Sequence, residues 1–348
     1  MPAAKNRWWQ IALRIAFALL AAGCVALTVH RTGADVWQSL AECDIAFLVT
    51  AVLVYGLMQV LAAWRWQGLL AVHGLHFTLW EMLRLTLAGC FFNILLPGAV
   101  SGDIFKIAFA TQRYPGRKTE LVMGVLMDRA VGVCGMFFAG LLAVLPIFGN
   151  VLEMARRNWV VALCLCIVLS GCLGISIVLW LALRLGGGSQ PAAAAMQEEH
   201  GGGLKETIRR LLMRVKACLY AYRREHLAVW KALAMSIVIH TMNAVVLFTV
   251  GRALHEGGLT PVQYNVSMQL SNVAGLVPLM PGGIGLRDLL ASCLLDGFSG
   301  GEIGGLGGSI PVVYTLILVA WGVCGAWLAA SLSMKRSEKE ELTKETKL

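Results

Sequence analysis

Long apolar runs constrain this chain more than any other feature of its sequence. The chain is 58% hydrophobic and only 14% charged, a composition that excludes an ordinary soluble domain. A helix needs about 20 apolar residues to cross a bilayer. We predict membrane-spanning helices at residues 9–29, 45–63, 121–147, 160–183, 228–250 and 304–331. The predicted fold class is therefore an all-α polytopic membrane protein.

Two further apolar segments are interrupted at their centres. The first reads FFNILLPGAVSGDIFK and breaks at Pro97 and Gly98, and the second reads NVAGLVPLMPGGIGLRD and breaks at Pro281, Gly282 and Gly283. Proline removes an amide donor, and the backbone groups freed in lipid are tolerated only where protein buries them or water reaches them. We therefore predict two re-entrant helical hairpins, at about residues 81–111 and 264–296. Paired broken segments of this kind point to a transport site.

The distribution of charge predicts the orientation, because basic loops stay on the cytoplasmic side. Residues 106–120 and 184–231 are rich in Lys and Arg, whereas residues 30–44 and 288–302 are predominantly acidic. This pattern predicts a bacterial-type cytoplasmic (inner) membrane protein with both termini in the cytoplasm. The two hairpins would then enter the membrane from opposite faces.

Opposed hairpins and similar spacings around the two breaks predict an inverted repeat. The first membrane repeat would cover residues 1–150 and the second residues 151–334, followed by a hydrophilic cytoplasmic tail at 335–348. A basic cytoplasmic insertion at 184–227 lengthens the second repeat. Its residues from Leu204 onwards form a basic amphipathic pattern, typical either of recruitment of anionic lipid or of ordinary anchoring at the membrane surface.

Several kinds of chemistry lack their sequence signals. The ten cysteines lie mostly within apolar runs, and no P-loop, HExxH, CxxC pair or GxSxG motif occurs. We therefore expect no cofactor and no metal. We also expect no nucleic-acid partner, because the net charge of +9 clusters at membrane edges. Anionic membrane lipids are the expected partners, and the sequence leaves the oligomeric state open.

Charged residues inside the apolar segments are the candidate ligands, since an ionised residue at bilayer depth costs about 2.5–3.5 kcal/mol. A helix that begins after a break attracts phosphate to its free amides, and an arginine can bind two oxygens. Asp128 could pair with a basic group of a hairpin while Arg129 faces the cavity. The alternative to ligand binding is a structural role, in which Asp103 and Asp288 cap helices and Asp128 and Arg129 belong to a structural ion pair. The predicted substrate-binding residues are Asn93, Pro97, Gly98, Gly102, Asp103, Lys106, Asp128, Arg129, His240, Asn243, Pro281, Gly282, Gly283, Gly285, Arg287 and Asp288.

Three members of this set, His240, Asn243 and Asn93, have a second interpretation. Ser236, His240 and Asn243 share one helix face, where they could relay protons or simply hydrogen-bond neighbouring helices. Asn93 precedes the first break and could satisfy freed backbone groups rather than contact a substrate.

The strings NILLPGAVSGDIFK and PGGIGLRD, with the Asp128–Arg129 pair, resemble the transmembrane region of lysylphosphatidylglycerol synthases and their stand-alone, flippase-like relatives. The resemblance covers roughly residues 10–331. The family commonly has Glu where this chain has Asp128 and Asp288, and Arg in place of Lys106. The resemblance implies movement of a lipid headgroup between leaflets. We expect no synthase activity, because no soluble domain follows the last predicted crossing.

The expected function is therefore that of a flippase or scramblase, not an enzyme. It would move an anionic phospholipid or a polyprenyl-phosphate-type carrier between leaflets by alternating access. Two alternatives stay open. One is an integral-membrane enzyme that acts on a lipid phosphate, with Asp103 and Asp128 as its acid–base pair. The other is a non-transporting scaffold for a lipid-modifying enzyme.

Overall fold

The computed structural model describes residues 22–30, 33, 35–95, 101–185, 204–276 and 283–345. Most of the predicted crossing at 9–29, and the predicted site residues Pro97, Gly98, Pro281 and Gly282, lie outside this set. The described part of the chain is helical and contains no strand. Its helices are α1 at 22–30, α2 Val36–Ala41, α3 Ile45–Ala71, α4 Leu79–Leu95, α5 Ser101–Arg113, α6 Lys118–Val144, α7 Phe148–Arg157, α8 Trp159–Leu185, α9 Leu204–Arg224, α10 His226–Ala253, α11 Pro261–Ser271, α12 Leu286–Ser299 and α13 Leu306–Glu345.

Five helical stretches are long and apolar enough to cross a membrane. They are Ile45–Ala71, Lys118–Arg157, Trp159–Ile177, His226–Ala253 and Leu306–Leu328. Each coincides with a predicted crossing, so the protein is a polytopic membrane protein. Two boundaries differ from the predictions. A 3₁₀ turn at Leu145–Ile147, which contains Pro146, joins α6 to the short helix α7, and α13 continues through most of the predicted hydrophilic tail.

Each predicted hairpin is observed as two short helices on either side of its break. Helices α4 and α5 flank the first break and pack together, and α11 and α12 do the same around the second break. The second hairpin begins with a helix-start signal. The Thr260 side chain accepts from the amide of Gln263 while the Gln263 side chain accepts from the amide of Thr260, a reciprocal cap that fixes the start of α11.

The two hairpins have their outer ends at opposite ends of α3. The loop after α5 contacts the loop after α3, where the Tyr114 hydroxyl donates to the carbonyl of His76 at 2.8 Å. At the other end of α3, the amide of Asp44 donates to the carbonyl of Ala253, the last residue of α10. We call these the basic end (residues 72–78 and 114–117) and the acidic end (residues 42–44, 254–260 and 300–305).

Glycine brings α4 and α13 into direct backbone contact. A Cβ atom at Gly325 would overlap the carbonyl of Leu87, and one at Gly322 would overlap the side chain of Ile94. Small residues permit such close approach, which lets dispersion and weak hydrogen bonds hold membrane helices together. This contact ties the first hairpin to the last helix of the chain.

We predict that Gly325→Ala destabilises the protein, because the added methyl group has no room between two backbones. Overpacking typically costs about 1–3 kcal/mol. Thermal unfolding in detergent would show a lowered melting temperature. Gly174→Ala is the matched control, since a Cβ at Gly174 would meet no atom within 4 Å. Equal melting temperatures for the two variants would contradict a rigid α4–α13 contact.

Candidate functional site

The helix after the first break carries a buried carboxylate that binds two cations. Asp103, in the first turn of α5, accepts from Arg129 of α6 through both oxygens, at 2.6 Å from Nε and 3.0 Å from Nη2. Lys106 Nζ lies 3.8 Å from the same carboxylate. Two parallel hydrogen bonds between a guanidinium and a carboxylate fix geometry as well as charge. We call these three residues the Asp103 cluster.

The Asp103 cluster has one positive charge in excess and is open on one side. The Arg129 side chain is 45% exposed, whereas the Asp103 side chain is 6% exposed. The Lys106 ammonium lies 5.1 Å from the ring centroid of Trp66, and the buried indole Nε1 of Trp66 has no hydrogen-bond partner among the described residues. An anion that entered here would meet a guanidinium and an ammonium.

Asn93 and Gly102 join the two helices of the first hairpin. The amide of Gly102 donates to the Asn93 side-chain oxygen at 2.9 Å. A Cβ at Gly102 would overlap the carbonyl of Gly89, so the α4 and α5 backbones touch at this point. Asn93 therefore satisfies a backbone amide beside the break, as its second interpretation predicted.

Asp128 pairs with Arg65 of α3, and the expectation that it pairs with a base of a hairpin is wrong. Arg65 Nε donates to Asp128 at 2.8 Å, and Arg65 Nη1 donates to Ser236 of α10. Neighbouring residues on a helix point about 100° apart. Asp128 therefore faces α3 and α10 while Arg129 faces α5. Arg65 was missed because its charge seemed to end the preceding apolar run, LAAWRWQGLL.

The second hairpin carries a neutral and sealed counterpart. The amide of Gly285 donates to Asp288 at 3.0 Å, so Asp288 caps the start of α12. The Arg287 guanidinium donates to Asp288 at 3.1 Å and to the Thr315 hydroxyl of α13 at 2.6 Å. Asp288 is fully buried and Arg287 nearly so. We call these three residues the Asp288 cluster. Arg287, expected as a phosphate ligand, here donates hydrogen bonds to Asp288 and Thr315 inside the protein.

Glycine is required at the start of this second cluster. Gly283 and Gly285 have φ angles of 74° and 87°, a left-handed conformation that residues with a Cβ rarely adopt. These two positions turn the chain from the break into α12 and aim the amide of Gly285 at Asp288. Their predicted place beside the site is consistent with this role, which is one of backbone shape.

The polar face of α10 bonds three different helices. Ser236 accepts from Arg65 of α3, His240 Nε2 lies 3.1 Å from the carbonyl of Gly132 in α6, and Asn243 accepts from the Tyr314 hydroxyl of α13 at 2.6 Å. His240 Nδ1 is buried and lacks a partner within the described part of the chain. These contacts support interhelical hydrogen bonding, the second interpretation of this face.

Each cluster lies near the inner end of its short helix, and the outer ends of these two helices lie towards opposite ends of α3. Asp103 is ten residues from the last residue of α5, or about 15 Å along the helix, and Arg287 is twelve residues from the last residue of α12, or about 18 Å. Ionised groups at such depth are rare in membrane helices and mark substrate or ion pathways. The structure thus brings five of the twelve described predicted residues into two clusters rather than one.

The family comparison covers the whole of this arrangement. A family model described as the lysylphosphatidylglycerol synthase TM region matches residues 11–322, which include both hairpins and both clusters. A comparison with curated proteins found no match. This membership is consistent with a lipid-related role in the membrane. The chain belongs to the lysylphosphatidylglycerol synthase transmembrane-region family.

Proposed function

We propose that this protein moves the headgroup of an anionic lipid between the two leaflets, as a flippase or scramblase. The observation that carries the proposal is the Asp103 cluster. It holds a half-exposed arginine and a lysine beside one buried carboxylate, so these three side chains together carry one positive charge in excess. A phosphate would balance that charge and offer oxygen acceptors to the guanidinium and the ammonium. The acyl chains would stay in lipid.

An inverted repeat would support alternating access, and the pattern of helix contacts in the two halves of the chain favours such a repeat. Helix α3 packs on α4 and α6 as α10 packs on α11 and α13. Contacts of α4 with α5, and of α5 with α6, have counterparts in α11 with α12 and α12 with α13. In this correspondence Asp103 matches Asp288, and Thr315 takes the place of Arg129. Repeats of this kind let one binding site face each side in turn.

The charge at the two ends supports a cytoplasmic basic end. Helix α9 packs against α6 and α10, and its Tyr222 hydroxyl donates to the carbonyl of Leu69 near the end of α3. Exposed basic residues follow its length, namely Arg214, Lys216, Arg223 and Arg224. The positive-inside rule then gives cytoplasmic termini in a bacterial-type inner membrane, with the two hairpins re-entering from opposite faces.

Transport is favoured over the enzymatic alternative by how the carboxylates are used. An enzyme acting on a lipid phosphate would need Asp103 and Asp128 as a convergent acid–base pair. Asp103 pairs with Arg129, whereas Asp128 pairs with Arg65. Arg129 and Asp128 point from different faces of α6, so the two carboxylates do not converge. The proposal therefore includes no chemical step.

Purified protein in proteoliposomes tests the proposal with a leaflet-resolved assay of fluorescent lipids. We expect phosphatidylglycerol or a polyprenyl phosphate to cross at least about tenfold faster than zwitterionic phosphatidylcholine, a ratio equivalent to about 1.4 kcal/mol. Equal rates for anionic and zwitterionic lipids would contradict the headgroup selectivity. Release of inorganic phosphate would favour the enzyme, and no movement of any lipid would favour the scaffold.

A further inference from the structure

Buried polar side chains connect the Asp103 cluster to the centre of the protein. Cys90 of α4 directly follows Gly89, where a Cβ atom would lie 2.7 Å from Lys106 Cε. Its thiol donates to the side-chain oxygen of Gln59 at 3.6 Å. Gln59 is buried, and the buried Tyr55 lies one turn away on the same helix, α3. The polar line therefore leads from the first hairpin to Tyr55.

A second tyrosine continues this line to the Asp288 cluster. The rings of Tyr55 and Tyr314 meet edge to face with centroids 6.3 Å apart. The Tyr314 hydroxyl donates to Asn243, and the Arg287 guanidinium lies 4.6 Å from the Tyr314 ring centroid. The two tyrosines thus stand between the clusters, and the ring of Tyr314 covers the arginine of the second one.

The two tyrosines also belong to an apolar seal. Both are buried in a core cluster that includes Leu247, Ile310 and Val313, contributed by α10 and α13. This cluster lies between the Asp288 cluster and the acidic end, where α10 finishes and α13 begins. On the other side of the tyrosines, Arg129 is exposed. One cluster therefore has an exposed arginine, whereas the other is buried.

A buried polar line needs an explanation, because apolar residues would pack at these positions without a desolvation cost. A tyrosine pair suits a barrier that must open, since each ring seals like an apolar residue and each hydroxyl can bond a passing headgroup. Rotation of the Tyr314 ring would also uncover Arg287, whose planar fork could then bind phosphate.

We propose that Tyr55 and Tyr314 form a gate between the two charged clusters, and that Gln59 and Cys90 line the headgroup's route on the near side of this gate. The inference rests on the proposed function, since it names the path and the barrier for the same headgroup. In the state observed, the gate is closed towards the acidic end.

Cys90 is a built-in reporter for this gate. With the other nine cysteines replaced by alanine, an impermeant anionic methanethiosulfonate would be applied to oriented proteoliposomes from each end in turn. We expect Cys90 to react from the basic end and to be protected from the acidic end. Tyr55→Ala with Tyr314→Ala should raise the acidic-end rate about tenfold or more and leave the basic-end rate within about twofold.

Tyr314→Phe is the matched control, because it keeps the ring and loses only the hydroxyl bond to Asn243. It should leave Cys90 protected from the acidic end, and Tyr55→Ala alone serves if the double variant does not fold. Equal reactivity from both ends with both tyrosines intact would overturn the gate, as would an unchanged acidic-end rate in the alanine variants. Labelling requires no lipid movement. Gated labelling without transport would therefore refute the proposed function and leave the gate standing.

Discussion

Replacing Arg129 by glutamine should reduce lipid movement by about 100-fold, since a charge-assisted hydrogen bond to the headgroup phosphate, worth about 1.5–3 kcal/mol, is lost together with the exposed cation. Arg129 is the only member of the Asp103 cluster whose side chain is nearly half exposed. The leaflet-resolved proteoliposome assay measures the rate directly. Arg129→Lys keeps the charge but not the fork, so an intermediate rate is expected for it.

Loss of Arg129 also removes one of the two cations that bind the buried Asp103, so stability must be separated from transport. The double variant Asp103→Asn with Arg129→Gln removes the carboxylate as well as its guanidinium partner and should recover much of the melting temperature that the single variant loses. We expect it to remain inactive, because the anion site is still missing. Near-normal lipid movement in Arg129→Gln would show that this arginine does not bind the headgroup.

Replacing Asp288 by alanine should lower the free energy of unfolding by about 3–5 kcal/mol, the usual cost of removing one partner of a buried ion pair. The carboxylate is fully buried, and its loss strands the Arg287 guanidinium and the amide of Gly285. Chemical or thermal unfolding in detergent measures this change. Asp288→Asn keeps one acceptor oxygen and should lie between alanine and wild type.

The matched control for Asp288 is an exposed ion pair. Glu153 and Arg157 bond on α7 with side chains 63% and 79% exposed, respectively. Surface pairs contribute about 0–1 kcal/mol, so Glu153→Gln should change stability little. If Asp288→Ala were as mild as Glu153→Gln, the Asp288 cluster would not hold the second hairpin together.

Hydrophobicity and helix-breaking residues predicted the long membrane helices and the two broken segments, but not the short helices α2 and α7 or the length of α13. Five of the predicted crossings coincide with candidate spans, and both broken segments are pairs of short helices. These features depend on local composition, since a bilayer requires long apolar helices and proline and glycine interrupt them. The pairing of charges was not predictable in the same way. Asp103 and Arg129 were both candidates, but the rotation of α6 that joins them is set by packing against α3 and α10.

The largest omissions came from residues that are polar yet internal. Arg65 was placed beyond the end of its crossing, because an unpaired arginine is costly in lipid and its partner Asp128 could not be identified. Thr315 and Tyr314 carry no charge and gave no signal at all. The different accessibility of the two clusters was likewise hidden, because it depends on how α10 and α13 pack around Tyr55 rather than on any local pattern.

The glycine contacts between α4 and α13 restrict how this membrane domain can rearrange. Two backbones in direct contact cannot slide past each other without steric overlap, so these helices should travel as one rigid body. They come from opposite halves of the chain. In the proposed transport cycle, the surface along which the parts shear would therefore cut through each half, and a distance label on α4 and one on α13 would keep a constant separation.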